Sequence, residues 1–464
     1  MKSLIVEDAM RQVWKNHWDA VAEELEKEVT VLSAICVLKK LMEFLRLICL
    51  EGYKMWLQQA DSRADVIERG GETLRYKLTS VKEFATPCGM LTLPRRLYQA
   101  DRGGSTHAPL DEAWGMVGQF AAPEIREVAA FYLALMTGDE AEQALRKSSL
   151  CGLSCTTLKR LAGEVGEWLE AHPEAVEEVR AEEPVPLETR VLCASLDGSN
   201  VRLTEPGGRL GRRPIGASQE PEKTCFKNAM VGSVSLYGDV PEDEKAPQRL
   251  QSKYVSHMPE KNFPTFREKF EAEVSETLAK CDPDITKVLA TDASGILKDY
   301  VESHPVLREF EQIVDYQHST DHLRMASEAL FGKGTTEAKT WLRKQSETLL
   351  HHDDGASRVI RAMGSAKGRR KLTKWCREEV EKQQTFFRNN GDRMTYASFR
   401  ERGLPIGSGV VEAAGKMLIK ARLCRTGMHW SRTGGQRILS ARTIVKSNRW
   451  DAVWSRYVNS LQST

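Results

Sequence analysis

The segment RVLCASLDGSNVRL, residues 190–203, limits the fold more than any other part of the chain. Its β-branched and small apolar residues read as a strand buried in a sheet, yet one carboxylate, Asp197, sits in its interior. An ionised carboxylate in such a strand is costly unless a cation or hydrogen bonds compensate it. The segment therefore predicts both a sheet and a compensating partner for Asp197.

The following residues supply that sheet. KNAMVGSVSLYGD and SKYVSHM read as the next two strands, a helix covers about 265–280, and KVLATDAS is a short apolar run that ends in Asp292. A helix from about Gly295 and a strand at FEQIVDY complete the pattern. Neighbouring strands come first and strands alternating with helices come later, which predicts a mixed α/β sheet. Asp292 falls where an apolar parallel strand ends, the edge at which open α/β sheets place their ligands. Residues 322–400 are helical and rich in charge, an all-α insertion with Trp341, Leu349, Leu350, Trp375, Phe386 and Phe387 available for its core. Beyond it, Gly407, Ser408 and Gly409 open a helix that contains Glu412, and the small neighbours Ala413, Ala414 and Gly415 let that helix pack closely on a sheet.

Ahead of the sheet the chain is mainly helical. Residues 7–59 carry apolar side chains at three- and four-residue spacing, as bundle helices or a dimerisation element would, and 70–105 read as a small β-hairpin unit. Helices return at Leu110, with Pro109 and Asp111 as start signals. One helix then ends near Thr137 and Gly138, a second runs to about Lys147 and a third starts near Ser154, the spacing of a helix-turn-helix. Its last helix presents Thr156, Thr157, Lys159 and Arg160, side chains suited to a major groove; an ordinary three-helix bundle is the alternative. The acidic run that follows is a linker or a helix surface, and with Pro184 and Pro186 it marks a linker. The expected divisions are 1–105, 106–183 (helix-turn-helix-like), 190–321 (first part of the sheet domain), 322–400 (insertion) and 401–464 (the rest of the sheet domain, with basic helices).

At 464 residues the chain exceeds the size of one hydrophobic core, so two or three domains are expected. The net charge of +2 hides an acidic stretch between Leu161 and Arg190 and a basic region beyond Glu401, and the latter suggests a polyanion partner or a solvated basic helix face. The apolar run from Val31 to Leu50 is broken by Lys39, Lys40, Glu43 and Arg46, so it predicts an amphipathic helix and no membrane span. The N-terminal residues lack a secretion signal, which predicts a cytoplasmic protein. Ten cysteines without regular spacing predict no disulfides, and Cys151 with Cys155 lacks the second pair a zinc site needs. No GxxxxGK[ST] run appears, so no nucleotide cofactor is expected. His318 and His322 have the spacing of a metal pair on one helix face, against a core or capping role, and the run from His351 to Asp354 reads as solvated surface.

Asp197 in a middle strand, Asp292 at a strand end and Glu412 on a later helix can converge on two Mg²⁺ or Mn²⁺ ions, hard cations that prefer carboxylate oxygens. Two such ions about 4 Å apart activate an attacking hydroxyl and stabilise a leaving oxygen in phosphoryl transfer. Taken singly, either aspartate is as readily a turn former or helix cap. Lys416 and Lys420 follow Glu412 on its helix face and can hold phosphates, or Lys416 can pair with Glu412.

The stretches SLDGSNV around Asp197, ATDASG around Asp292, VDYQHSTDHL from Val314, RMTYASFRERGLPIGSGVVEAAGK through Glu412 and RTGMHWSRTGGQRIL from Arg425 resemble the DDE-type transposases of bacterial insertion sequences, especially the ISKra-type group. The resemblance spans roughly residues 75–455 and is clearest from 190 onward. It implies an α/β RNase-H-like core interrupted by a helical insertion, with Asp197, Asp292 and Glu412 as the catalytic, metal-binding triad. It also implies DNA cleavage and strand transfer, with the element's terminal repeats and target DNA as partners of a homo-oligomer. Lys416, Lys420, Arg422, Arg425, His429 and Trp430 are then the expected DNA contacts of this region, with Thr157, Lys159 and Arg160 further upstream; core packing is the other reading of Trp430. Members of the group often carry a cysteine-based zinc unit upstream, but YQADRGGSTHAPLD holds no cysteine, so no zinc is carried over. A nuclease of the same fold and a transposase-derived DNA-binding protein without catalysis are the alternative functions.

Overall fold

The computed structural model describes residues 2–148, 152–204, 225–292, 300–301 and 303–461. They form two units, Met1–Ala175 with Asp451–Thr464, and Val176–Trp450.

In the first unit, helices α1 (Lys2–Leu25) and α2 (Val31–Leu57) pair through Trp14 and Trp18, whose stacked rings meet Phe44. Thr30 starts α2 with a reciprocal cap to Ser33, which satisfies amides that have no partner inside the helix. Strands β1 (Val66–Arg69), β2 (Glu72–Thr86) and β3 (Gly89–Ala100) form an antiparallel sheet in that order, the expected β unit. Four helices follow: α3 (Pro109–Ala113), α4 (Pro123–Leu135), α5 (Gly138–Lys147) and α6 (Cys155–Ala171). Thr137 and Ser154 cap the last two, as their positions in the sequence suggest. A Cβ on Gly138 would stand 2.5 Å from the Cys155 sulfur, so α5 and α6 cross closely only because that position is glycine. Cys151, weighed above with Cys155, lies outside the described residues.

The second unit is built on a five-stranded sheet. Strands β4 (Val191–Leu203), β5 (Cys225–Tyr237), β6 (Arg249–His257), β7 (Thr286–Thr291) and β8 (Glu311–Val314) lie in the order β6-β5-β4-β7-β8. β5 pairs antiparallel with both β4 and β6, while β7 joins β4 and β8 joins β7 in parallel, so the sheet is mixed as expected. Both faces of β4 are covered. Leu192, Ala194 and Leu196 pack towards helix α8 (Pro264–Ala279) through Phe266 and Phe270, and Val191 and Cys193 pack into a core shared with the later helices. Gly232 on β5 brings α8 in, since a Cβ there would meet Phe270 at 2.5 Å. The helix expected from about Gly295 lies outside the described residues.

The insertion is helical, formed by α9 (Tyr316–Phe331), α10 (Thr336–His351), α11 (Gly355–Gly368), α12 (Lys374–Asn390) and α13 (Tyr396–Glu401). Leu349 and Phe387 are in its core, whereas Trp375 is exposed, contrary to its expected place in that core. Trp375 sits in the first turn of α12, off the seam marked by Val380, Gln383 and Phe387.

Helix α14 (Gly409–Ala414) continues through a π-helical stretch (Gly415–Lys420) and a last turn (Ala421–Leu423), followed by α15 (Arg432–Lys446) and α16 (Trp450–Ser460). From Asp451 onward the chain belongs to the first unit, which differs from the division expected at 401–464. Of the two readings of the acidic run, linker or helix surface, the second holds at its start. Helix α7 (Glu174–Glu182) occupies its start, and Glu183 enters a buried charge cluster in which Arg449 donates to both Glu183 and Glu273. Part of the C-terminal basic charge is therefore internal: Arg422, Arg442 and Arg449 are all buried. Among the described residues, no helix is long and apolar enough to cross a membrane.

Candidate carboxylate centre

The β4–β7 register brings the two aspartates together. Ser195 pairs with Ala290 in the last parallel rung between β4 and β7, and Asp197 and Asp292 each follow that rung by two residues. Adjacent strands are about 4.8 Å apart. Asp197 remains inside the long β4, opposite Val231 of β5, whereas β7 ends at Thr291 and leaves Asp292 at its carboxyl edge.

Glu412 arrives on α14, which packs over β4 and β5. Gly415, one turn later, permits the approach: a Cβ there would lie 3.0 Å from the Ser199 hydroxyl and 3.8 Å from Asp197 Oδ2. The π-helical stretch starts at this glycine. Widening a helix by one residue frees backbone groups, and the Met417 carbonyl accepts from the buried Arg442 guanidinium, with Nε at 2.8 Å.

The electrostatics tie the three acids into one site. Burial pushes the Asp197 carboxyl above its ordinary value of 3.8, and the charges of Asp292 and Glu412 add to that rise. A hydrogen bond from the Gly198 amide at 2.7 Å and the charge of Lys420 oppose it. A cation among these acids would relieve both the burial penalty and the repulsion. The donor set is all carboxylate oxygen, which suits Mg²⁺ or Mn²⁺ better than a softer metal. Among the described residues, no three His, Cys, Asp or Glu side chains stand at metal-holding distances, so the acids neighbour one another without forming a closed cage.

The expected DNA contacts occupy varied surroundings. Lys416 is exposed with its Nζ 3.7 Å from Glu412 Oε2, and Lys420 is exposed close enough for its charge to act on Asp197. Arg425 and His429 are exposed. Arg422 is buried, with its guanidinium 5.2 Å from the Trp430 ring centroid, so it is placed to hold Trp430 and does not reach outward to a phosphate. Trp430 is half-buried and integrated in the fold: its indole N–H donates to the Leu423 carbonyl at 2.9 Å, and its backbone bonds to Arg202 and Thr204 at the end of β4. That arrangement favours the packing reading of Trp430. In the first unit, Lys159 is exposed, Arg160 pairs with Glu164 at 2.9 Å, and the half-buried Thr157 hydroxyl meets Ser154 at 3.0 Å.

His318 and His322 meet each other, with Nε2 atoms 3.2 Å apart. His322 stacks on Phe386 with ring centroids 3.5 Å apart and hydrogen-bonds Gln383 through Nδ1 at 2.5 Å, as in a packed core. His351 and His352 are exposed, in keeping with solvated surface.

Sequence reasoning missed Ser199, Ser408, Asp315 and Arg442. Ser199 had a usable signal, since it lies two residues after Asp197 on the same strand face. The others act through contacts across 25 residues or more, which no local pattern reveals.

No protein-family model and no curated protein matches this chain. Among solved structures, it has a likeness to the Drosophila P element transposase strand transfer complex, at 12% identity and a TM-score of 0.24, over 73% of this chain and 81% of that one. At that TM-score the likeness carries no weight for fold or function.

Proposed function

We propose that this chain is a DDE-type DNA transposase of an insertion sequence, with an RNase-H-like core in which Asp197, Asp292 and Glu412 hold divalent metal. The observation that carries the reading is that Asp197 on β4, raised first by burial, is raised further by the charges of Asp292 at the end of β7 and Glu412 on α14. A mixed sheet with a helical insertion between the second and third acid is the architecture implied by the motifs around those acids.

Bound Mg²⁺ or Mn²⁺ would supply activation of the attacking hydroxyl and stabilisation of the leaving oxygen. The chain's own residues do the rest. Asp197 and Asp292 fix two carboxylates on rigid strands, and Glu412 adds a third from a helix seated against the sheet by Gly415. Lys416 and Lys420 provide positive charge beside the acids for a DNA phosphate. The substrates are DNA ends of the element and a target duplex, and joining two ends calls for at least a dimer.

The test is cleavage of duplex oligonucleotides bearing candidate element ends with Mg²⁺ or Mn²⁺, comparing wild type with Glu412→Gln. Metal-dependent nicking lost in the variant, with DNA binding intact, supports the reading. Strand-transfer products separate a transposase from a nuclease. A folded wild type that binds ends and never nicks them overturns catalysis.

A further inference from the structure

We propose that Asp315 is a positioning residue that holds the Glu412 helix in register with Asp292; this rests on the reading of those acids as one centre. Asp315 directly follows β8 and is 1% exposed. Its backbone N–H donates to the Thr291 carbonyl at 2.9 Å, the residue just before Asp292. One carboxylate oxygen accepts from the Gln317 amide at 2.6 Å and caps α9, and the other accepts from the hydroxyl of the buried Ser408. The Ser408 carbonyl in turn accepts from the Glu412 amide at 3.1 Å, and Tyr316 N–H donates to the Ile406 carbonyl at 3.0 Å.

A helix cap requires one acceptor oxygen. Asp315 gives its second to a turn 93 residues away in sequence, and a buried carboxylate is retained there although its desolvation is costly. The result is a continuous path from the end of β7 through Asp315 and Ser408 to the first turn of α14. Two carboxylates borne on different elements stay in place only if those elements are fastened to each other, and this path fastens them close to both acids.

Ser408→Ala removes the hydroxyl donor and leaves the α9 cap intact. The expected result is a cleavage rate at saturating Mg²⁺ lower by roughly 10- to 100-fold with DNA affinity unchanged. Ser408→Thr, which restores a hydroxyl, recovers most of the rate. Hydrogen exchange provides a readout independent of activity: in Ser408→Ala, amides of 404–415 and 289–292 exchange faster, while the α9 amides do not change. Asp315→Asn, which retains one acceptor for the cap, serves as the second variant and raises exchange in the same two segments. Unchanged exchange there, or unchanged turnover in Ser408→Ala of an active enzyme, overturns the proposal. A wild type without metal-dependent cleavage sinks the catalytic reading, whereas the exchange comparison still decides whether Asp315 fastens the two elements.

Discussion

Gly415 packs against Ser199 beside Asp197: a Cβ at this glycine would lie only 3.0 Å from the Ser199 hydroxyl and 3.8 Å from Asp197 Oδ2. Contacts of 3.0 Å to carbon force a neighbour to yield, and the neighbours here are a central strand and the helix that bears Glu412. Gly415→Val is expected to leave the sheet folded and to lower nicking by roughly 10- to 100-fold through displacement of Glu412. Gly415→Ala should cost less, and Ser199→Ala in that background should recover part of the loss. Cleavage kinetics with parallel DNA-binding curves check both. Full activity in Gly415→Val would mean that the approach of α14 to β4 does not set the site.

The Asp197 carboxylate is maintained against its own stability. Its folded pKa is raised, first by burial and then by Asp292 and Glu412, so the folded protein binds more protons than the unfolded chain between the two values. This contribution favours folding below the ordinary value of 3.8 and is lost as pH rises through the higher folded value. At neutral pH without metal, Asp197→Asn should therefore raise the melting temperature while abolishing cleavage. Added Mg²⁺ should stabilise wild type, by about 2.7 kcal/mol at 100 times its dissociation constant, and stabilise the variant far less. Thermal unfolding with and without EDTA reads both effects, and a destabilised metal-free Asp197→Asn would contradict the electrostatic account.

Much of the sheet was legible because its strands announce themselves by composition: β4, β5, β6, β7 and β8 all fall on segments read as strands, and Ser154 caps the helix expected to start near it. The meeting of Asp197 with Asp292 required the register of β4 against β7, a long-range property that composition does not encode. Charge misled in a physical way. Counting arginines beyond Glu401 treated Arg422, Arg442 and Arg449 as surface, but each is buried, against Trp430, the Met417 carbonyl, and Glu183 with Glu273. Guanidinium groups enter an interior when partners at distant positions satisfy them, and the sequence does not pair such positions.

The Arg449 cluster carries its own pH signature. Burial alone would raise the Glu183 carboxyl, but hydrogen bonds from Arg449 and Lys253 more than reverse this and leave it below its ordinary 4.5. A depressed folded value means stability that is present above 4.5 and is lost as pH falls through the folded value. Arg449→Met leaves Glu273 and Glu183 without their main partner, and breaking a buried pair in this way costs about 3–5 kcal/mol. The melting temperature of the variant should be well below wild type at pH 7, and the gap should narrow in acid below 4.5 as Glu183 protonates. A gap independent of pH would assign the loss to packing alone.

On the proposed function, Lys420 is the residue best placed to bring a DNA phosphate to the centre. It is exposed, lies at the end of the π-helical stretch, and its charge acts on Asp197, so a phosphate bound by it would lie beside the carboxylates. Lys416 is closer to Glu412, at 3.7 Å, and part of its charge is committed to that pair. Each lysine that neutralises a phosphate releases counterions, so its removal weakens binding across sequences and reduces the salt slope by about 1. Lys420→Gln should show this reduced slope together with slower nicking, whereas Lys416→Gln should change the slope less and raise the metal concentration needed for cleavage little. Affinity measured by fluorescence anisotropy over a range of salt concentrations separates the two lysines. If Lys420→Gln keeps the wild-type slope, the DNA backbone does not pass Lys420.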